Sequence, residues 1–251
     1  MIEAAKSAGF DRLFFHYNQR YLLRRHFHFI GLQGDLDAGE RNGGRLYVMN
    51  HSSWWDGMVA YHAFRTCSSG DHYVMMDEKQ LRHYLFFRKL GVFSIDKSNP
   101  KGIVASLRYA QSLLEAGKCV WMFPQGDIRH LEHRPIRFQS GIGYLLERSG
   151  QTTVMPVTAY YSLYHHQKAE ATLHAGSPLK LDWRALGKQA ATVAVEESFC
   201  AQLERHRSRC VDGDPQLAND FKPLLAGGGS TSEAFLTMKK RVRAWKSFFG
   251  A

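Results

Sequence analysis

The chain of 251 residues has no long apolar run. Its longest stretch free of Asp, Glu, Lys and Arg runs from Ser149 to Gln167, and Pro156, several Ser and Thr, and His165-His166 interrupt it. Such a stretch reads as a strand and loop, whereas a membrane-spanning helix needs about 20 predominantly apolar residues. Cysteine is scarce. Cys67, Cys119, Cys200 and Cys210 form no CxxC pair and no metal-site spacing, which fits reduced thiols in a cytoplasmic setting. Cys119 lies in an apolar run and reads as core. The N-terminal MIEAAKSAGFDRLFF lacks an apolar signal core and a cleavage site, so export is not expected. Acidic residues are the minority, 23 against 33 Lys and Arg, and the formal net charge is +10. The expected partner is therefore negative: nucleic acid, an anionic membrane or a phosphorylated substrate. No RNP-like, zinc-finger or basic-zipper pattern accompanies the charge, so nucleic acid is not expected.

What is present is a chain of 44% hydrophobic residues, enough to bury a core as one large domain or one domain with an appendage. Apolar runs in Leu46–Met49, Asp71–Met76 (centred on Tyr73, Val74 and Met75), Gly91–Lys97, Cys119–Phe123, Thr153–Tyr161 and Ala169–Leu181 read as strands. Helical stretches fall between them: Trp54 to Phe64, Asp77 to Lys89, Pro100 to a stop at Gly117, Gln139 to Gly150, and then Val193 to Arg209. Strands alternating with helices predict a single α/β domain with a mainly parallel sheet flanked by helices. That domain is expected over 34–210. Before it, 1–33 is a basic and aromatic segment, with Phe14, Phe15, Tyr17, Tyr21 and Phe27 among Arg12, Arg20, Arg24 and Arg25, and a strand near Arg25–Leu32. Its rings and guanidinium groups suit a membrane interface, and they equally suit a helix packed on the domain. After it, 211–251 reads as a polar linker followed by an amphipathic helix over Thr231–Phe249, which invites the same two readings.

The densest chemistry lies where the first internal strand turns into a helix, at Asn50-His51-Ser52-Ser53-Trp54-Trp55-Asp56. If His51 sits on the turn and Asp56 in the first helical turn, the carboxylate reaches one imidazole nitrogen. The other nitrogen then faces outward as a base, the orienting logic of a triad without its nucleophile. His26 and His28 invite a metal, but alternation along a strand accounts for them, and no metal is expected. Trp54, Trp55, Met58 and Tyr61 form an apolar set beside it that could line a site or simply be core.

Three further blocks stand in fixed order after this one: Gly91 to Lys97, Phe123-Pro124-Gln125-Gly126-Asp127-Ile128-Arg129, and Val154-Met155-Pro156-Val157. With His51-x4-Asp56 they resemble the glycerolipid acyltransferase family, of which 1-acylglycerol-3-phosphate acyltransferase is typical, over roughly Gly44 to Leu179. The resemblance assigns catalysis to His51 and Asp56. It places Lys97 where the family usually has Arg, and Gln125, Gly126 and Arg129 in a block the family writes F-P-E-G-T-R. Gln125 there replaces Glu, Asp127 replaces Thr, and Ile128 is an apparent insertion. The family's two basic positions, Lys97 and Arg129 here, are taken to hold the acceptor's phosphate. Lysine supplies a point charge without a bidentate fork, and Asp127 puts negative charge beside it.

The resemblance implies an acyltransferase that moves a fatty acyl group from a thioester, acyl-CoA or acyl-carrier protein, to the hydroxyl of a lyso-lipid. No other cofactor is implied. A glycosylated or amino-acid-headed acceptor stays open, because the altered block departs from the family's. No G-x-S-x-G elbow is present, so direct attack is expected rather than an acyl-enzyme. Gly126 makes its turn the candidate for stabilising charge on the thioester oxygen. The expected location is the cytoplasmic face of an anionic membrane, as a peripheral protein. The competing reading is a non-catalytic lipid-binding protein on the same scaffold.

Overall fold

The computed structural model describes residues 1–39, 43–164, 166–213, 220–226, 235 and 237–241. Helix α1 (Ala8–Tyr17) starts where the Ser7 hydroxyl accepts from the Phe10 N–H. It continues through a π-helical turn (Asn18–Leu23) into α2 (Arg24–His26). β1 (Phe27–Gln33), β2 (Arg45–Met49), α3 (Asp56–Cys67) and β3 (His72–Asp77) follow. Next come α4 (Glu78–His83), a 3-10 turn (Leu85–Leu90), β4 (Val92–Ile95), α5 (Pro100–Glu115) and β5 (Cys119–Met122). The chain continues through α6 (Gly141–Ser149), β6 (Thr153–Ser162), β7 (Ala169–Ala175), α7 (Trp183–Val211, broken at the non-helical Gly187) and β8 (Lys222–Ala226).

The eight strands among the described residues form one sheet in the order β4-β3-β5-β2-β6-β7-β1-β8. All neighbours are parallel except β6 with β7 and β1 with β8. The expected α/β domain with a mainly parallel sheet is therefore the observed one. Three elements differ most from expectation. The helix expected over Asp77–Lys89 divides into α4 and a 3-10 turn, and the strand expected over Ala169–Leu181 ends at Ala175. The last long helix begins ten residues before the expected Val193, capped by the Asp182 carboxylate on the Ala185 N–H. The sheet also crosses both expected domain limits, since β1 precedes residue 34 and β8 follows 210. The polar composition around β8 hides a strand that pairs with β1 at the sheet edge. Most of the helix expected over Thr231–Phe249 lies outside the described residues.

Strand alternation sorts the core into two layers. On β2, Tyr47 and Met49 pack towards α3 and the N-terminal helix, whereas Leu46 and Val48 pack towards α5, α6 and α7. β2 and β5 are buried on both faces, as central parallel strands should be, which explains their unbroken apolar sequence. Pro156 sits inside β6 without breaking the sheet. On that side the Pro156 carbonyl still accepts from the Gly176 N–H at 2.9 Å and Val154 bridges Leu179, so proline costs the sheet one donor, at the very start of the β6–β7 ladder. Gly117, at φ +73°, ends the turn after α5 where the sequence places a helix stop.

Two buried histidines join neighbouring elements and set an acid limit. The Trp121 indole N–H donates to His72 Nδ1 at 2.9 Å, and His206 bridges the Thr158 and Thr172 hydroxyls at 2.9 Å each. Burial, chiefly, pushes both imidazoles down from 6.5 to about 3. Between those pH values the unfolded chain binds protons that the folded chain refuses, so this contribution is complete above pH 6.5 and is lost as pH falls towards 3. The urea midpoint is expected to drop between pH 7 and pH 5; an equal or higher midpoint at pH 5 contradicts the assignment.

Candidate active site

The chain's reactive groups gather at one end of the sheet. His51 follows β2, Asp77 ends β3, Lys97 follows β4, Gln125 to Arg129 follow β5, and Tyr161 lies near the end of β6. These are the carboxyl ends of five adjoining strands, where loops of an open α/β sheet converge on a ligand.

The turn from β2 into α3 builds the first part. Asp56 is the first residue of α3, and its carboxylate is fully buried. Oδ2 accepts from His51 Nδ1 at 2.8 Å and from the backbone N–H groups of Ser52 and Ser53 at 2.7 and 2.9 Å. Oδ1 accepts from the Tyr161 hydroxyl at 2.6 Å. Burial and the Asp56 charge hold the Tyr161 phenol well above its ordinary pKa, so it stays a donor. A carboxylate with four donors, at the start of a helix whose dipole favours negative charge, is stabilised without exposure to water.

The sheet fixes His51 from behind. The Asn50 side chain donates from Nδ2 to the Ala159 carbonyl at 3.0 Å and accepts at Oδ1 from the Ala159 N–H at 2.8 Å. An amide here copies one more ladder rung between β2 and β6. The His51 N–H donates to Gln125 Oε1 at 2.7 Å, and its carbonyl accepts from the Arg129 N–H at 2.9 Å. The ring packs against Phe123, 4.6 Å between centroids. With Nδ1 on Asp56, the side chain remains 25% exposed, and Nε2 has no protein partner among the described residues.

The predicted site residues therefore meet, in roles that differ among them. Gln125 is buried and braces the His51 backbone. Gly126 adopts φ +84°, and its N–H closes the turn by donating to the Phe123 carbonyl at 3.1 Å. That amide is thus committed, whereas the N–H groups of Asp127 and Ile128 have no acceptor among the described residues. Lys97 donates to the Gly126 carbonyl at 2.6 Å and pairs with Asp127 at 3.0 Å and Asp77 at 3.1 Å. The Arg129 side chain is exposed, close enough to Asp127 to help lower its pKa, an effect led by Lys97. Met58 and Tyr61 are core, with the Tyr61 hydroxyl donating to Asp11, while Trp54 is exposed.

Tyr161, Asn50 and Asp77 are the members that sequence reading missed. The apolar-to-aromatic end of β6 was visible, but its pairing with a residue 105 positions earlier needs the sheet order. One cluster elsewhere has metal-ligand chemistry: His28, His166 and Glu170 each bring a ligand atom within 4.8 Å of the others. The two imidazoles stack face to face, 3.4 Å between centroids and 16° between planes. Stacked rings direct their in-plane lone pairs side by side, so a shared metal would require one ring to turn. His26 packs instead on Trp55.

Comparison with known proteins bears on the fold and the family. In fold the chain is similar to the crystal structure of the 1-acyl-sn-glycerophosphate (LPA) acyltransferase PlsC from Thermotoga maritima. The TM-score is 0.55 at 17% identity, over 80% of this chain and 78% of that one. No curated protein sequence matches. The family model described as Acyltransferase matches residues 31–160, which include β2, the His51–Asp56 turn, Lys97, the Phe123–Arg129 block and β6 up to Tyr160. The chain belongs to the acyltransferase family.

Proposed function

We propose that this acyltransferase moves a fatty acyl group from a thioester to a hydroxyl of a lipid acceptor by direct attack. The observation that carries the proposal is the His51 Nδ1–Asp56 pair at 2.8 Å, with Nε2 unpartnered among the described residues at the carboxyl end of the sheet. The acceptor hydroxyl gives its proton to His51 Nε2 as its oxygen forms the new C–O bond. Asp56 stabilises the imidazolium that results. As the intermediate collapses, the C–S bond breaks and the proton passes from His51 to the departing thiolate. The unbonded N–H groups of Asp127 and Ile128 are the candidate donors for the thioester oxygen, in place of the committed Gly126 amide.

Direct attack is supported by what surrounds the imidazole. Neither Ser52 nor Ser53 presents its hydroxyl to His51 among the described residues; the Ser53 hydroxyl accepts from the Trp55 N–H instead. Acyl-CoA and acyl-carrier protein are both candidate donors, since either offers the same thioester. We place the protein peripherally on an anionic, cytoplasm-facing membrane surface. Leu13, Tyr17 and Tyr21 are exposed beside the exposed Arg12, Arg20, Arg24 and Arg25, while Phe14 on the opposite face packs against Tyr61 and Phe87. No described helix is long and apolar enough to cross a membrane.

Mass spectrometry of the purified protein with mixed lyso-lipids and acyl thioesters tests the reaction. A thioester-dependent lipid product heavier by one acyl group is expected. Folded protein that binds liposomes and yields no product from any acceptor favours the non-catalytic reading instead.

A further inference from the structure

Resting on the acyl transfer proposed above, we infer that the acceptor's head group carries no phosphate monoester and is an uncharged, polyhydroxylated one, as in a glycosylated lipid. The argument starts from the donors of Lys97. A lysine ammonium has three N–H groups, and three oxygens of this chain surround it: the Gly126 carbonyl at 2.6 Å and Asp127 Oδ1 at 3.0 Å accept hydrogen bonds, and Asp77 Oδ2 forms an ion pair at 3.1 Å. An ammonium held by three oxygens of its own chain acts as a strut. It ties the ends of β3 and β4 to the turn after β5.

Neither carboxylate is a casual neighbour. Asp77 caps α4, its Oδ1 accepting from the Lys79 N–H at 2.9 Å, and this aims Oδ2 at Lys97. Burial opposes the Lys97 charge, but its contacts to the Asp127 and Asp77 carboxylates outweigh it and raise its pKa. Lys97 in turn holds the Asp127 carboxyl below its usual range, although Asp127 is 66% exposed. At neutral pH the mouth thus carries Lys97 and Arg129 against Asp77 and Asp127, a formal sum of zero.

A phosphate monoester brings close to two negative charges. To reach Lys97 it must displace a carboxylate, and any position near the turn faces Asp127. Arg129 alone would have to neutralise it. Hydroxyl groups meet none of these obstacles, because exposed carboxylate oxygens are acceptors and a neutral sugar supplies donors. A cationic head group gains little, since the mouth has no net charge to attract it.

The test is a competition among three acceptors: 1-acylglycerol-3-phosphate, an amine-headed lyso-lipid and a monohexosyl lipid, each with one acyl-CoA. The monohexosyl lipid is expected to show kcat/KM at least about tenfold above the other two. Asp127→Asn, which removes the charge and keeps the size, is expected to raise kcat/KM for the phosphate acceptor about tenfold through its KM. Preference of the wild type for the phosphate or amine acceptor overturns the inference, as does an unaltered phosphate-to-hexosyl ratio in Asp127→Asn. Product from none of the three, with thioester left intact by folded protein, overturns the acyl-transfer reading, and the inference falls with it.

Discussion

Alanine at His51 is expected to lower the rate of acyl transfer by about 10²–10⁴-fold, the usual range for a lost general base. The variant should keep its fold, because the loss is confined to one side chain. Asp56 retains three donors after the imidazole is removed, from Ser52, Ser53 and Tyr161. The His51 backbone stays pinned by Gln125 and Arg129, whose bonds reach its N–H and carbonyl. The unfolding midpoint should therefore move little, while single-turnover rates with saturating thioester and acceptor collapse. Near-wild-type turnover in the folded variant would remove His51 from the reaction.

The second large effect belongs to Asp56→Asn, which separates charge from geometry. The two backbone N–H groups converging on Oδ2 require an oxygen at that position, because an amide nitrogen there would face two donors. The amide oxygen thus takes the Oδ2 place and still accepts from His51 Nδ1. Its NH₂ turns to the Tyr161 oxygen, which can accept. In a triad where substitution turns the imidazole to the wrong tautomer, the loss reaches about 10⁴-fold. Here the tautomer is kept and only the charge that stabilises the imidazolium disappears, so a fall of about 10²-fold in kcat is expected with acceptor KM nearly unchanged. Alanine at the same position is a poorer probe. It orphans buried donors at about 1–3 kcal/mol each, so its loss of activity would be confounded with loss of stability. Full activity in Asp56→Asn would show that no imidazolium forms against this carboxylate.

The spacing of His51 and Asp56 was readable because both lie on one local element. A strand end, a five-residue step and a helix start determine how the carboxylate reaches back. The alternating apolar runs similarly revealed six of the eight strands within the expected domain, and the basic segment before it revealed β1. What escaped reading was set by contacts between distant parts of the chain. Tyr161 becomes the fourth donor to Asp56 only because β6 lies directly beside β2 in the sheet. Asp77 acts on Lys97 only because β3 and β4 pair in parallel and end side by side. β8 was invisible for a different reason: a short edge strand with Lys222 and Pro223 has the composition of a linker, and its partner β1 lies almost two hundred residues earlier.

The rung that Asn50 makes with Ala159 has a consequence for how the reaction is prepared. His51 is attached to the rigid interior by a side-chain amide that continues the ladder, so the base is already placed before any lipid arrives. The opposite wall, Asp127 to His130, is exposed and rests on the His51 carbonyl and on Lys97. Reorganisation on binding therefore falls on that wall alone, and the entropy lost on closing is that of a few surface residues. Two acceptors that differ at the head group will then differ in how well they order the wall, while the proton acceptor they meet is the same.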